Sequence, residues 1–322
     1  MSINFSVLVM LHLAALVGGL LLLAISADAF VVGAARLATA MRLPPVVVGT
    51  VVIGFGTSLP ELVSSVLASA QGSLSLAIGS VIGSDTANAT LVVGVTGILA
   101  APAVSRRVLR REAPMAAAAV ALFALAARSG MSRWSGIGLL VAMAIAAVLL
   151  LVQSREEPQV PLHDETGPGD GAKSPGAPAA ALRAAGGLVG TLAGAEMLVW
   201  GALGVAARSG LPIGPVGIVV VGLGTSLPEL VTAVQACRRG HTDLVVGNVL
   251  GSNMLNSLGV AGVATVVHPQ RLPPSTTGLP LLVTVLAMAT VSLFFVTGRR
   301  LRRGEGILLV VLYGASVAIA LR

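Results

Sequence analysis

The octapeptide GTSLPELV occurs twice in this chain, at 56–63 and at 224–231, each time inside a long apolar run. The offset of 168 residues extends well beyond it: laid without a gap on Pro212–Asn256, the segment Pro44–Asn88 gives 23 identities in 45 positions. Two segments that merely share a preference for Val and Gly do not agree so often, so the halves are copies of one unit. That unit is too apolar for water. Hydrophobic residues make up 55% of the 322 and charged residues 10%, against roughly 25% charged in a soluble domain. A mean hydropathy of +0.95 excludes a soluble enzyme and also excludes disorder, which requires few aliphatic residues and much charge. The apolar runs are unbroken where a membrane β-barrel would alternate, and they approach the roughly 20 residues that a bilayer-spanning helix needs.

These runs fall at about 6 to 34, 45 to 69, 76 to 101, 113 to 127 and 134 to 152, then at 181 to 207, 213 to 237, 243 to 267, 276 to 297 and 305 to 321. Between the two sets lies Gln153–Pro178, rich in acids and prolines, which has the composition of a hydrophilic linker. The expected architecture is therefore an all-α integral membrane protein with ten transmembrane helices: a first five-helix repeat over 1–152, a linker over 153–180 and a second five-helix repeat over 181–322. Five crossings separate the copies, and an odd number inverts the second relative to the first. Alternating sides, the loops sharing a side with the linker hold 15 of the 20 basic residues. The positive-inside rule then places the linker in the cytoplasm and both termini outside, in a multi-pass protein of the cell (plasma or inner) membrane. Met1–Phe5 carries no basic residue, so the first run reads as a crossing and not as a cleaved signal peptide.

The net charge of +7 does not point to nucleic acid, because aromatic residues are only 3% and the charges are scattered over short loops. Cys237 is the single cysteine, so neither an intramolecular disulfide nor a cysteine zinc cluster can form. His12, His163, His241 and His268 make no metal pair, and Lys173, the single lysine, follows Ala172 and belongs to no Walker loop. No enzymatic chemistry and no cofactor are expected.

Glu61 and Glu229 lie near the middle of apolar crossings, where a carboxylate costs at least about 2.5 kcal/mol. No Lys or Arg lies inside a central crossing to pair with them, which leaves cation binding or protonation. On a helix Thr57 and Ser58 share a face with Glu61, and Thr225 and Ser226 repeat the arrangement beside Glu229. Pro60 cannot donate to the carbonyl of Gly56, and Gly54 and Gly56 weaken the same turn, so a half-unwound segment with exposed carbonyls is expected before each acid; Gly222, Gly224 and Pro228 repeat the pattern. The next crossing adds Ser84 and Asn88, four apart, matched by Ser252 and Asn256. Oxygen donors without His or Cys suit hard cations such as calcium or sodium.

With those residues placed, the chain resembles the calcium/cation antiporter superfamily, most of all its prokaryotic sodium/calcium exchangers. The resemblance rests on GTSLPELV at both positions, on GSVIGSDTAN at 79–88 and GNVLGSNMLN at 247–256, and on the 168 offset that also relates Ala27–Ala34 to Ala195–Ala202. It implies a secondary active antiporter that exchanges sodium for calcium by alternating access at a midplane site. It implies as ion ligands Thr57, Ser58, Glu61, Ser84, Asn88, Thr225, Ser226, Glu229, Ser252 and Asn256, with the carbonyls of Gly54 and Gly222. The partners are inorganic cations and the lipid bilayer. Asn256 stands where potassium-dependent relatives carry Asp. Asp85 is an extra acid, turned about 100° from Ser84, for which a supporting or access-path role is expected. Asp28 and Glu196, near the ends of their crossings, are expected to make structural bonds. A proton-coupled antiporter is the alternative function, and an ion channel fits paired inverted repeats less well.

Overall fold

The computed structural model describes residues 5–41, 45–102, 110–154, 176–208, 224, 226–298 and 300–320. Most of the linker and residues 209–223, which include the start of the seventh apolar run, lie outside the described residues. Apolar sequence without water forces each backbone N–H and C=O to find its partner within its own segment, and the described residues are accordingly helical, with no strand among them. The first half contains α1 (Phe5–Met41), α2 (Pro45–Val48), a π-helical stretch (Gly49–Gly54), α3 (Phe55–Thr57), α4 (Leu59–Ala70), α5 (Leu74–Ala87), a second π stretch (Asn88–Val92), α6 (Val93–Ala100), α7 (Glu112–Ser129) and α8 (Arg133–Ser154). The second half contains α9 (Ala177–Arg208), α10 (Leu227–Arg238), α11 (Thr242–Met254), a third π stretch (Leu255–Val260), α12 (Ala261–Val267), α13 (Pro274–Thr277), α14 (Leu279–Gly298) and α15 (Arg303–Ala320).

The duplication seen in the sequence carries into the backbone. α4 and α10 begin and end at positions 168 apart, and both end in the same way: Gly72 (φ +84°) and Gly240 (φ +73°) take the left-handed conformation. Ser73 N–H then reaches the carbonyl of Ala68, and His241 N–H that of Ala236, both at 2.9 Å. This closes the helix with the six-to-one bond of a Schellman motif, which favours glycine at that position.

Two features differ from expectation. α1 runs to Met41, seven residues past the expected end at 34. The segment before Glu61 is also not half-unwound. It stays helical as the π stretch Gly49–Gly54 and the single turn α3, and the break is confined to Ser58, where the two helical pieces meet at 47°. A π stretch widens the turn by one residue and re-aims side chains without abandoning internal hydrogen bonds, so it meets the bilayer's demand better than an open chain. By length and composition six described helices can cross a membrane, or seven with the bent pair counted as one span.

The long helices α1 and α9 pack antiparallel: Gly33 lies against Ala184, Gly194 against Leu23 and Gly201 against His12 and Leu16. Glycines let these backbones touch, as in small-residue membrane interfaces. A second close crossing joins the halves near the centre, where a side chain on Gly54 would stand 2.9 Å from the Asn248 carbonyl oxygen and the Ser252 nitrogen. Gly251 lies as tightly against Thr50. These contacts bring the two duplicated segments together.

Candidate functional site

The bend at Ser58 places Glu61 in the first turn of α4, and Ser226, with nearly the same dihedrals (φ −90°, ψ 2° against φ −86°, ψ 10°), places Glu229 in the first turn of α10. Pro60 and Pro228 sit inside the opening turns, where the missing N–H costs nothing because that donor has no helical partner. Each carboxylate thereby lies at the positive end of a helix dipole. Both glutamates are fully buried.

Hydrogen bonds bring Ser58, Glu61, Ser84, Glu229, Ser252, Asn256 and the Gly54 carbonyl into contacts that interleave the two halves. Ser58 Oγ donates to Glu229 Oε1 at 2.9 Å, and Ser84 Oγ donates to Glu61 Oε1 at 3.3 Å. Asn256 Nδ2 donates to Ser84 Oγ at 3.1 Å. Ser252 Oγ donates to the Gly54 carbonyl at 2.9 Å. Asn88 is fully buried on α5's continuation, one turn after Ser84. Gly222 and Thr225 lie outside the described residues.

Three contacts add to the sequence reading. Ser58, three residues before Glu61 on the same segment, turns its hydroxyl across the bend to Glu229 of the other half. Thr57 Oγ1 donates to the Ile53 carbonyl at 2.9 Å and to Asn248 Oδ1 at 3.3 Å, and so does not bond Glu61. The Gly54 carbonyl is not bare, since Ser252 covers one of its lone pairs.

What the hydrogen bonds leave over matters most. Glu61 Oε2, Glu229 Oε2, Asn256 Oδ1, Ser226 Oγ and both polar atoms of Asn88 are buried without a hydrogen-bond partner. Buried polar groups are normally paired, and an unpaired one forfeits roughly 1–3 kcal/mol. A concentration of such atoms on facing helices, with two carboxylates among them, has the donor chemistry of a hard-cation site: oxygen, negative charge and no thiolate or imidazole.

Asn248 was not picked from the sequence. Its Oδ1 accepts from Thr57 while its Nδ2 donates to the Glu229 carbonyl at 3.3 Å, tying α3 to α10. The available signal was its place in the duplicated GNVLGSNMLN segment, at the position held by Ser80 in the first copy. Asp85 is buried and accepts from Ser257 Oγ at 2.6 Å. Asp28 makes the structural bond expected of it, a two-pronged pair with Arg239 at 2.5 and 2.6 Å. Glu196, at the equivalent position of the second half, is exposed.

Comparison with known proteins agrees with this architecture. Residues 11–152 and 180–322 match the profile of the family described as sodium/calcium exchanger protein. The chain is 32% identical to the putative antiporter CaxA of Alkalimonas amylolytica, over 92% of this chain and 94% of that one. It is 28% identical to the sodium/calcium exchanger MaX1 of Methanosarcina acetivorans, over 99% and 98% of the two chains. Among solved structures it is similar to the sodium-calcium exchanger NCX_Mj, with a TM-score of 0.85 at 28% identity over 96% of this chain and 99% of that one. With a family match in both halves and likeness along nearly the whole length, the chain belongs to the sodium/calcium exchanger protein family, a family of membrane transporters.

Proposed function

We propose that this protein is a secondary active cation antiporter of the cell membrane that exchanges sodium for calcium by alternating access. The observation that carries the reading is the set of unpartnered buried oxygens around Glu61 and Glu229. In the proposed mechanism Thr57, Ser58, Glu61, Ser84, Asn88 and the Gly54 carbonyl act with Thr225, Ser226, Glu229, Ser252, Asn256 and the Gly222 carbonyl. Two carboxylates neutralise one divalent ion or partly balance several monovalent ones, so sodium and calcium compete for one cluster, and exchange follows without a cofactor. We read the chain as ten crossings in two inverted repeats about a pseudo-twofold axis, with the linker cytoplasmic and both termini outside. The first and sixth crossings, α1 and α9, move across the cluster to change the side from which it is reached.

The family match and the likeness to MaX1 and NCX_Mj support cation antiport, and the oxygen-only donors support calcium and sodium as substrates. A proton-coupled antiporter is the second reading, favoured by the free Oε2 atoms of both glutamates, either of which could take up a proton as calcium leaves. Calcium-loaded inside-out vesicles separate the two. Sodium-driven calcium release that persists with a proton uncoupler is the expected result, and release that collapses with the uncoupler establishes the proton-coupled reading.

A further inference from the structure

The mechanism above leaves one buried acid unused. The crossing of α5 with the π stretch Leu255–Val260 makes two successive bonds, each between residues 172 apart: Ser84 with Asn256, inside the cluster, and Asp85 with Ser257, one residue along on both segments. The second pair lies directly beside the first. Asp85 Oδ2 is held by Ser257, but Asp85 Oδ1 is buried without a partner. Asn253 lies four residues before Ser257, so the two share a face across the join of α11 with the π stretch, and Asn253 Oδ1 is likewise buried and unpartnered. Its amide nitrogen donates to the sulfur of Met288 at 3.0 Å. One turn earlier on α14, Thr284 bonds Thr86 at 2.7 Å. Asp85, Asn253, Ser257 and Thr284 are fully buried.

An amide that spends its donor on a thioether, a weak acceptor, while its oxygen stays buried and unpartnered, one turn from the serine that holds Asp85, leaves an oxygen for something that wants one. Asp85 and Asn253 occupy equivalent positions of the two copies, 168 apart, and only one of the two is acidic. Asp85 can therefore supply at most one negative charge here, and no ion pair to it lies among the described residues.

We propose that Asp85, Ser257 and Asn253 form a second cation position, for one monovalent ion of the sodium class, flanking the cluster around Glu61 and Glu229. One carboxylate balances one such charge, whereas calcium takes six to eight oxygens and commonly several carboxylates. The proposal rests on the reading of this chain as a cation transporter, but its test does not depend on the glutamates.

Equilibrium binding of radioactive sodium to the purified full chain, with calcium binding measured in parallel, tests it. In Glu61→Gln/Glu229→Gln protein the main cluster is disabled, and the expected result is residual saturable sodium binding of one ion per chain. Adding Asp85→Asn abolishes that binding, and adding Asn253→Asp instead strengthens it at least about tenfold by supplying a second charge. If Asp85→Asn does not fold, Ser257→Ala, which keeps the charge and removes one oxygen, weakens the residual binding several-fold in its place. The proposal is overturned if the double glutamine protein binds no sodium while the unsubstituted chain does, or if residual binding is the same with and without Asp85→Asn. It is also overturned if Asp85 simply carries a proton, in which case sodium binding ignores all three changes. Failure of the unsubstituted chain to bind calcium counts instead against the reading of the main cluster.

Discussion

Ser58 shows how one residue joins the two halves. Sequence spacing puts it three residues before Glu61, and the natural inference is that it serves that acid; the bend at its own backbone sends the hydroxyl to Glu229 instead. Both glutamates and the small hydroxyls around them were legible, because a charge inside an apolar run is conspicuous and the duplication marks it twice. Their pairing was not, since which acid a hydroxyl meets depends on how α3 and α10 cross. A buried hydrogen bond to a carboxylate is worth roughly 1.5–3 kcal/mol, so Ser58→Ala is expected to raise the half-saturating calcium concentration about tenfold or more in a transport assay. Thr96→Ala serves as the control: Thr96 is buried too, but its hydroxyl only returns to the carbonyls of Val92 and Val93, and transport is expected to stay within about twofold.

The helices themselves were readable from apolar runs and the 168 offset, and α4 and α10 have matching bounds. The three π stretches were not, because a π turn differs from an α turn by one hydrogen bond and leaves the same apolar composition. Nor did the sequence name the partners that join α1 to the end of α10, although a structural bond was expected of Asp28. Gln235 Nε2 meets the Ala24 carbonyl at 3.1 Å and Arg239 grips Asp28, one turn farther along both helices. Both charged side chains are about one-third exposed, and partly exposed pairs contribute on the order of 1 kcal/mol. Asp28→Asn should therefore lower the thermal midpoint of the purified protein by a few degrees, and Asp28→Arg combined with Arg239→Asp should recover most of the loss. The contact between α1 and α9 is far less forgiving. Any side chain on Gly187 meets the backbone of Phe30, so Gly187→Val is expected to cost roughly 1–3 kcal/mol, read as a clearly lower thermal midpoint. An unchanged midpoint would show that α1 and α9 do not touch there.

Across the whole molecule, the 15 to 5 split of basic residues is the basis for the proposed sidedness. Met131 and Gln270 form an antiparallel bridge between two loops that the topology assigns to one face, the outer one. Asp28 and Arg239 meet at the face assigned to the cytoplasm. In a Cys237→Ser background, a cysteine replacing Ser129 should react with an impermeant thiol reagent added to intact cells, and one replacing Glu157 only after permeabilisation; the reverse pattern would invert the topology. The central claim concerns the site that this topology encloses, and the most direct measurement is radioactive calcium uptake into liposomes holding the purified chain, driven in turn by sodium, potassium and proton gradients. The account predicts uptake driven by sodium alone and lost in both Glu61→Gln and Glu229→Gln protein that keeps its fold. Undiminished sodium-driven uptake in either variant would contradict it.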